Sequence, residues 1–340
     1  MNRNCMNPHS LVTRPMPDLR QFPLPTGRKG WPWTFDEIPP GPPDQITAGP
    51  RITVITPSFN QGQFIEETIR SVLLQGYPNL EYIIIDGGST DNSVEIIKKY
   101  EPWITFWVSE KDRGQCHAIN KGFARATGDI FAWLCSDDVY APGALHRIAE
   151  NLGNRKSAMA VGASIITRGP DTLEGALDRR QPSFADMAYN VKTFPQPSTF
   201  WTRDLWEAAG PLGEDLYFVM DYDLWLRMVP RAQSVKRLDE ILSYQRAQPD
   251  QKSARGRVGE HDFLEQRVRV AWGAARSRGE SSLGWLARVW LLKLWQNRAR
   301  FWRVKEPGFH WQVARWVLSM PPKEPRRQAR EQCSKHETIR

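Results

Sequence analysis

Ile130-Phe131-Ala132-Trp133-Leu134-Cys135-Ser136-Asp137-Asp138 is an apolar run that ends in two adjacent carboxylates. Five apolar residues in succession suit a strand buried on both faces, as in a parallel α/β sheet. Such a strand delivers its C-terminal residues to the crevice where open α/β sheets bind ligands. Two carboxylates at that edge repel each other unless a cation joins them. Mg²⁺ is commonly held by one or two carboxylates plus substrate phosphates, and Mn²⁺ accepts the same oxygen ligands. The other reading of the pair is a solvated Asp-Asp at a helix entry, because a helical pattern starts soon afterwards at Pro142.

Upstream of this run the pattern alternates between strand and helix. Ile52 to Thr56 reads as a strand ended by Pro57-Ser58-Phe59-Asn60, and Ile65, Ile69, Val72 and Leu73 then recur at helical spacing. Gly76-Tyr77-Pro78 stops that helix. A second strand, Tyr82 to Ile85, runs into Asp86-Gly87-Gly88-Ser89-Thr90-Asp91, and Asp91-Asn92-Ser93 opens another helix with capping residues. A third strand, Ile104 to Val108, leads through Asp112-Arg113-Gly114 to a helix over Ala118, Ile119, Gly122, Phe123 and Ala126. Strand ends rich in Asp, Asn, Ser and Gly, in this alternation, predict a mostly parallel α/β sheet of the doubly wound kind.

Each predicted strand therefore ends in polar residues on one edge, where Asp86, Asp91, Asp112, Asp137 and Asp138 converge. Carboxylates there accept hydrogen bonds from ribose hydroxyls or base N–H groups, or hold a cation. Gly87-Gly88 lacks the third glycine of a dinucleotide fingerprint, and no Gly-Lys-Ser/Thr phosphate loop is present. The crevice suits a nucleotide whose phosphates arrive bridged by a metal, which is how a nucleotide sugar is handled.

Residues 53–138 resemble the nucleotide-binding half of the family-two glycosyltransferases, inverting enzymes with the GT-A fold. The matching pieces are Val54-Ile55-Thr56-Pro57-Ser58-Phe59-Asn60, Asp86-Gly87-Gly88-Ser89-Thr90-Asp91, the run from Asn120-Lys121-Gly122 to Ala126-Thr127-Gly128-Asp129, and Ser136-Asp137-Asp138. The resemblance covers residues 51–245. It implies that Pro57, Phe59 and Asp91 line a base and ribose pocket, that Asp137 contacts the ribose, and that Asp138 ligates Mn²⁺ or Mg²⁺ on the diphosphate. Asn60, Asp86 and Asp112 complete the candidate nucleotide-binding set, with Asp86 also read as a residue that only shapes its loop. Further along, Met220-Asp221-Tyr222-Asp223 resembles the family's Glu-Asp block, where the Asp is the catalytic base. Asp221 holds that place, Asp223 is the second choice, and Met220 departs from the pattern by replacing the acid. The expected substrates are a nucleotide sugar, uridine diphosphate first with thymidine and guanosine open, and a saccharide or lipid-linked acceptor. Surface polysaccharide or glycolipid assembly is the setting that the family analogy implies.

The remaining stretches are less specific. Met159 to Ile166 reads as a strand, residues 168–192 as an irregular charged loop, and Pro195-Gln196-Pro197-Ser198 as a proline-rigid turn or a strand lining the acceptor side. Cys116 and Cys135 read as buried small hydrophobes. Four scattered cysteines suggest neither a zinc site nor a disulfide framework, and no secretory segment opens the chain. The expected location is cytoplasmic, with peripheral contact at the inner face of the cell membrane as a further reading.

Four regions are expected: a Pro-rich leader over 1–50, a GT-A domain over 51–250, a basic Trp-rich helical extension over 251–320, and a disordered tail over 321–340. Residues 251–340 hold 20 Lys/Arg against 8 Asp/Glu, an excess of +12, so the first 250 residues carry −4 of the total +8. In the extension Trp285, Trp290, Trp295, Trp302, Trp311 and Trp316 alternate with basic residues. Two readings stand side by side: a membrane-surface helix, or a helical pair folded back on the catalytic domain with Trp in the seam. A nucleic-acid-binding role through this tail is disfavoured, because no reader motif is present and the acidic crevice repels a polyanion. A catalytically inactive glycosyltransferase-like scaffold is the other alternative, left open by Met220.

Overall fold

The parallel heart of the fold is four strands with helices between them. In the computed structural model, which describes residues 28–34, 49–153, 155–169, 172–190, 192–248 and 260–296, these are Ile52–Ser58 (β1), Leu80–Asp86 (β2), Phe106–Ser109 (β3) and Ile130–Trp133 (β4). The helices between them are Ile65–Leu73 (α1), Ser93–Lys99 (α2) and Gln115–Phe123 (α3). The chain continues through Val139–Tyr140 (β5), Ala144–Leu152 (α4), Ala158–Thr167 (β6), Gly175–Asp178 (β7), Phe184–Asn190 (α5), Thr199–Thr202 (β8), Arg203–Ala209 (α6), Met220–Met228 (α7) and Ser234–Gln245 (β9). Two more helices, Glu260–Arg276 (α8) and Ser282–Gln296 (α9), follow.

One nine-stranded sheet has the order β3-β2-β1-β4-β8-β6-β9-β5, with β7 paired to β6. β3, β2, β1 and β4 run parallel, and β6 and β9 are also parallel. β8 runs antiparallel to both β4 and β6 and so joins the two halves.

Alternate residues on the central strands serve opposite faces, as the strand period of two requires. Ile83, Ile85, Phe131 and Trp133 enter one core with α3, α6, α7, α8 and Trp285 of α9. Tyr82, Ile84, Ile130 and Ala132 enter the other with α1, α2 and α4. Burial on both faces is why these strands are apolar throughout instead of alternating.

Two sequence expectations change, and one of two open readings of the helical extension gains a contact. Residues 168–192 contain ordered elements: β7 pairs antiparallel with the end of β6, and α5 buries Met187 and Ala188. Four-residue β7 and seven-residue α5 were too short to show a period among charged neighbours. The apolar strand of the opening run stops at Trp133; Leu134 donates one more bond to the Ile55 carbonyl, and Asp138 N–H then closes a turn on the Cys135 carbonyl at 3.0 Å. In the helical extension, Val268, Ala271, Trp272 and Trp285 share the core of Trp133, Trp201 and Trp225, as the folded-back reading expects. Trp285 donates its indole N–H to the Ala188 carbonyl at 3.0 Å, so this tryptophan lies in a seam. The side chains of Trp290 and Trp295, and all of residues 297–340, lie outside the described residues, and with them most of the tail's two-way reading. Among the described residues no helix is long and apolar enough to cross a membrane.

Candidate active site

Register brings the loops together. Ser58 pairs with Asp86, and Asp86 pairs with Ser109, so β1, β2 and β3 end level at one edge. β4 ends at Trp133, opposite Ile55 of β1.

Asp86 is buried and fully used. Its carboxylate accepts bonds from the N–H groups of Gly88 (3.1 Å) and Ser89 (2.8 Å) and from the hydroxyls of Ser89 (2.6 Å) and Ser109 (2.7 Å). It folds the glycine turn, and Gly88 takes φ +82° there, a conformation open to glycine. Asn60 sits at φ 51° and clamps the two loops: its N–H donates to Ser89 Oγ (2.8 Å) and its Oδ1 accepts from Thr90 N–H (2.8 Å). Asp91 accepts from Gly62 N–H (2.8 Å) and Ser93 N–H (3.0 Å). Burial pushes its pKa up, but the hydrogen bonds from Ser93 and Gly62 outweigh that and hold the exposed Asp91 below the usual carboxylate range.

Gly87 forms the floor of the candidate base pocket. A Cβ there would lie 2.9 Å from Asp112 Oδ2 and 3.3 Å from Phe59, so any larger residue would have to displace these two side chains. Phe59 is 59% exposed, unusual for a large apolar ring and suited to stacking on a base. Asp112 also accepts from Gly114 N–H at 2.7 Å. Pro57 is buried within β1, opposite Ile85.

The carboxylate pair lies beyond β4. Asp138 is 3% exposed; its Oδ1 accepts from Arg246 N–H at 3.0 Å, and its carbonyl accepts from the Thr68 hydroxyl at 2.7 Å. Asp137 accepts from Gln248 Nε2 at 2.7 Å through its carboxylate and from Arg246 Nε at 2.9 Å through its carbonyl. Burial first, then the neighbouring Asp137, holds the Asp138 carboxyl well above the ordinary range. Burial also raises Asp137, although the bond from Gln248 works against it. Ligand atoms of Cys135, Asp137 and Asp138 all lie within 4.8 Å of one another. Cys135 is thus no plain hydrophobe: its half-buried sulfur accepts from Gln115 Nε2 at 3.2 Å and faces Gln196 Oε1 at 3.6 Å. Cys116, by contrast, is buried against Met220 Sδ at 3.0 Å.

Two desolvated acidic groups that disfavour each other's charge are chemically matched to a hard divalent ion, which favours both ionised forms. Mn²⁺ or Mg²⁺ therefore fits the oxygens of Asp138 and Asp137.

Asp221 lies in the first turn of α7, where the helix N-terminus favours negative charge. Burial raises its pKa, offset by the Tyr222 N–H (2.7 Å) and by the charges of Arg267 and Arg180. Arg180 is itself held by two bonds to Asp178, at 2.9 and 2.7 Å. Asp223 is engaged differently. It pairs with Arg227 at 3.0 Å, and Arg227 donates to the carbonyls of Ala209 and Gly210 at the end of α6. Asp223 thereby fastens α7 to α6.

Residues 53–203 match the profile of the family described as glycosyl transferase family 2. An uncharacterized glycosyltransferase of Mycobacterium tuberculosis is 32% identical over 188 residues, which are 54% of this chain and 70% of the relative. The chain belongs to glycosyltransferase family 2. A putative teichuronic acid biosynthesis glycosyltransferase, TuaG of Bacillus subtilis, is 36% identical over 129 residues, 37% of this chain and 51% of that protein. Among solved structures, S. aureus TarS 1-349 in complex with UDP-GlcNAc superposes with a TM-score of 0.58 at 17% identity, covering 80% of this chain and 82% of that one. The fold shared with TarS is the GT-A fold expected from the motifs.

As a family-2 glycosyltransferase, the protein shows site residues that no motif had indicated. Glu67, Arg246 and Gln248 brace the Asp pair from α1 and from the chain just after β9, about 70 and 110 residues away in sequence. Their partners are set by tertiary folding, and only the resemblance of residues up to 245 hinted that this strand approaches the site. The motif run Thr127-Gly128-Asp129 lies elsewhere. Thr127 donates to Glu81 from both N–H and hydroxyl, and Asp129 accepts from Arg51 N–H at 2.8 Å, locking the turn before β4 to the starts of β1 and β2. Those residues are structural.

Proposed function

We propose that this family-2 glycosyltransferase transfers a sugar from a nucleoside diphosphate sugar, with UDP the first choice, to a hydroxyl of a saccharide or lipid-linked acceptor. The reaction is metal-assisted and inverting, and belongs to surface polysaccharide or glycolipid assembly. The observation that carries the reading is the carboxylate pair of half-buried Asp137 and buried Asp138 at the sheet edge, with an exposed aromatic ring at Phe59 on a loop of the same edge.

Phe59 stacks on the base, and the Asp91 and Asp137 carboxylates receive ribose hydroxyls. Asp138, with Asp137, would hold the divalent ion. That ion supplies Lewis-acid stabilisation of the charge on the departing diphosphate. Asp221 takes the proton of the acceptor hydroxyl as its oxygen bonds to C1 of the sugar, while the C1–O bond to the diphosphate breaks on the opposite face. A single displacement inverts C1. The elevated pKa of Asp221 suits a base, since proton affinity is greater than that of an ordinary Asp.

Thermal melting with a panel of nucleotide sugars, with and without Mn²⁺, tests the assignment. One donor should stabilise the protein by about 2.7 kcal/mol at 100 times its Kd, and less when Mn²⁺ is withheld. Stabilisation by no nucleotide sugar, or by one indifferent to Mn²⁺ and Mg²⁺, contradicts it. Phe59→Ala should weaken nucleotide binding about fivefold, the equivalent of about 1 kcal/mol of stacking, without lowering the melting temperature. Calorimetric titration of the nucleoside diphosphate reads that loss; unchanged affinity removes Phe59 from the pocket.

The basic excess after residue 250 supports peripheral contact with an anionic membrane face, where a lipid-linked acceptor resides. Flotation of the full-length protein with anionic but not neutral vesicles is the expected result, and equal partition between the two contradicts the contact.

A further inference from the structure

The residues before the GT-A body include a turn that reaches the carboxylate pair by two routes. Trp31 and Trp33 are buried at 4% exposure each, although they precede β1 by some twenty residues. Trp31 donates its indole N–H to the Tyr140 carbonyl at 2.7 Å. Tyr140 lies two residues beyond Asp138, and its N–H in turn donates to Ser71 Oγ of α1 at 3.1 Å. The guanidinium of Arg70, fully buried on α1, donates to the carbonyls of Pro32 (3.1 Å) and Trp33 (3.3 Å). The turn is thus seated on the helix that flanks the site and on the strand that leaves it.

The second route is ionic. Glu67 of α1 is buried, and one of its carboxylate oxygens is shared between Arg28 Nη1 of the turn (3.3 Å) and Arg246 Nη2 (2.9 Å). Arg246 is itself 3% exposed and lies over the Phe64 ring at 5.0 Å. Its backbone N–H holds the Asp138 carboxylate and its Nε holds the Asp137 carbonyl. A buried guanidinium needs a compensating charge, and here Glu67 supplies it. The Glu67 carboxylate thus holds the far end of the side chain whose Nε reaches the Asp137 carbonyl, on the residue whose backbone N–H reaches the Asp138 carboxylate.

We propose, on the metal-assisted reading above, that Arg28, Glu67 and Arg246 form a positioning relay by which the docked N-terminal turn sets the Asp137–Asp138 pair for its cation. Glu67 and Arg28 touch neither donor nor acceptor in this arrangement. They act through Arg246, as outer partners orient the ligands of a metal, and such partners typically contribute about 10–100-fold in metal affinity.

The test is direct Mn²⁺ binding by electron paramagnetic resonance in the presence of UDP, on the full chain, with melting temperature recorded alongside. Glu67→Gln should raise the Mn²⁺ dissociation constant about tenfold or more. Arg28→Ala, at a side chain that is 40% exposed, should keep the fold and shift the constant in the same direction by less. Donor KM and the Mn²⁺ requirement for transfer should rise together, with a smaller change in kcat at saturating metal. Wild-type affinity in both variants overturns the relay. A loss in Glu67→Gln alone overturns the part played by the turn, and Arg28→Ala decides the question if Glu67→Gln does not fold. Failure of the wild-type protein to bind Mn²⁺ at all is a different result, which removes the metal-assisted reading itself.

Discussion

Asp138→Asn is expected to lower Mn²⁺-supported sugar transfer by at least about 10²-fold, while the metal-free protein melts at the same temperature or higher. The two effects have opposite signs for one reason. In the folded protein Asp138 is desolvated beside Asp137, so its charge is unfavourable until a cation arrives. Asparagine keeps the oxygen that accepts the Arg246 N–H and removes the like-charge repulsion. It also removes an anionic ligand, and a Lewis-acid contribution of several kcal/mol corresponds to two or more powers of ten in rate. The linkage has a definite direction. A carboxyl with a raised folded-state pKa contributes stability that is full below its unfolded pKa and is lost as pH rises through the folded pKa. Metal-free wild-type protein should therefore lose stability as pH climbs out of the ordinary carboxylate range, and Asp138→Asn should flatten that loss. Melting curves across pH, with and without Mn²⁺, check both statements. A variant that keeps wild-type turnover rules out Asp138 as the metal ligand.

Asp221→Asn carries the second large effect. Removal of a general base lowers the rate by about 10²–10⁴-fold, and here the loss should fall on kcat with donor binding intact. In the wild-type enzyme kcat/KM should decline as pH falls through the Asp221 pKa, which burial places above that of an exposed Asp. The variant should lack that acid limb. Asp223→Asn gives the contrast. Its partner is Arg227, whose other bonds fasten the end of α6, so its loss should lower melting temperature more than turnover. If Asp223→Asn abolishes transfer in a protein that melts normally, and Asp221→Asn does not, the base is Asp223.

Much of the donor half was legible because its signals are local. A strand of β-branched and aromatic residues followed by Asp, Gly and Ser shows its end in the sequence itself, and parallel strands of similar length end on the same edge. Ser58, Asp86 and Ser109 line up in that way. The role of each acid was harder to read. Asp86 spends its carboxylate on four donors and Asp91 on two backbone N–H groups, because a tight glycine turn has to satisfy its own amides. A sequence lists carboxylates without showing which are already engaged.

The supports of the Asp pair were out of reach for a different reason. Glu67 lies on the face of α1 that periodicity assigns no chemistry, and Arg246 follows β9, a strand between β6 and β5 whose register no local pattern sets. Cys135 read as a small hydrophobe because its neighbours are apolar; the turn after Trp133 carries its sulfur to the carboxylates. In the C-terminal region, Trp285 enters the seam with α5, and no periodicity distinguishes a tryptophan facing protein from one facing lipid.

The most direct measurement is the anomalous scattering of Mn²⁺ in crystals soaked with UDP and MnCl₂. The expected result is one strong peak at the oxygens of Asp138 and Asp137, with the uracil over Phe59 and the diphosphate on the ion. A nucleotide bound away from this edge, or a bound nucleotide with no Mn²⁺ at Asp138, would show that the Asp137–Asp138 pair is not the seat of the reaction.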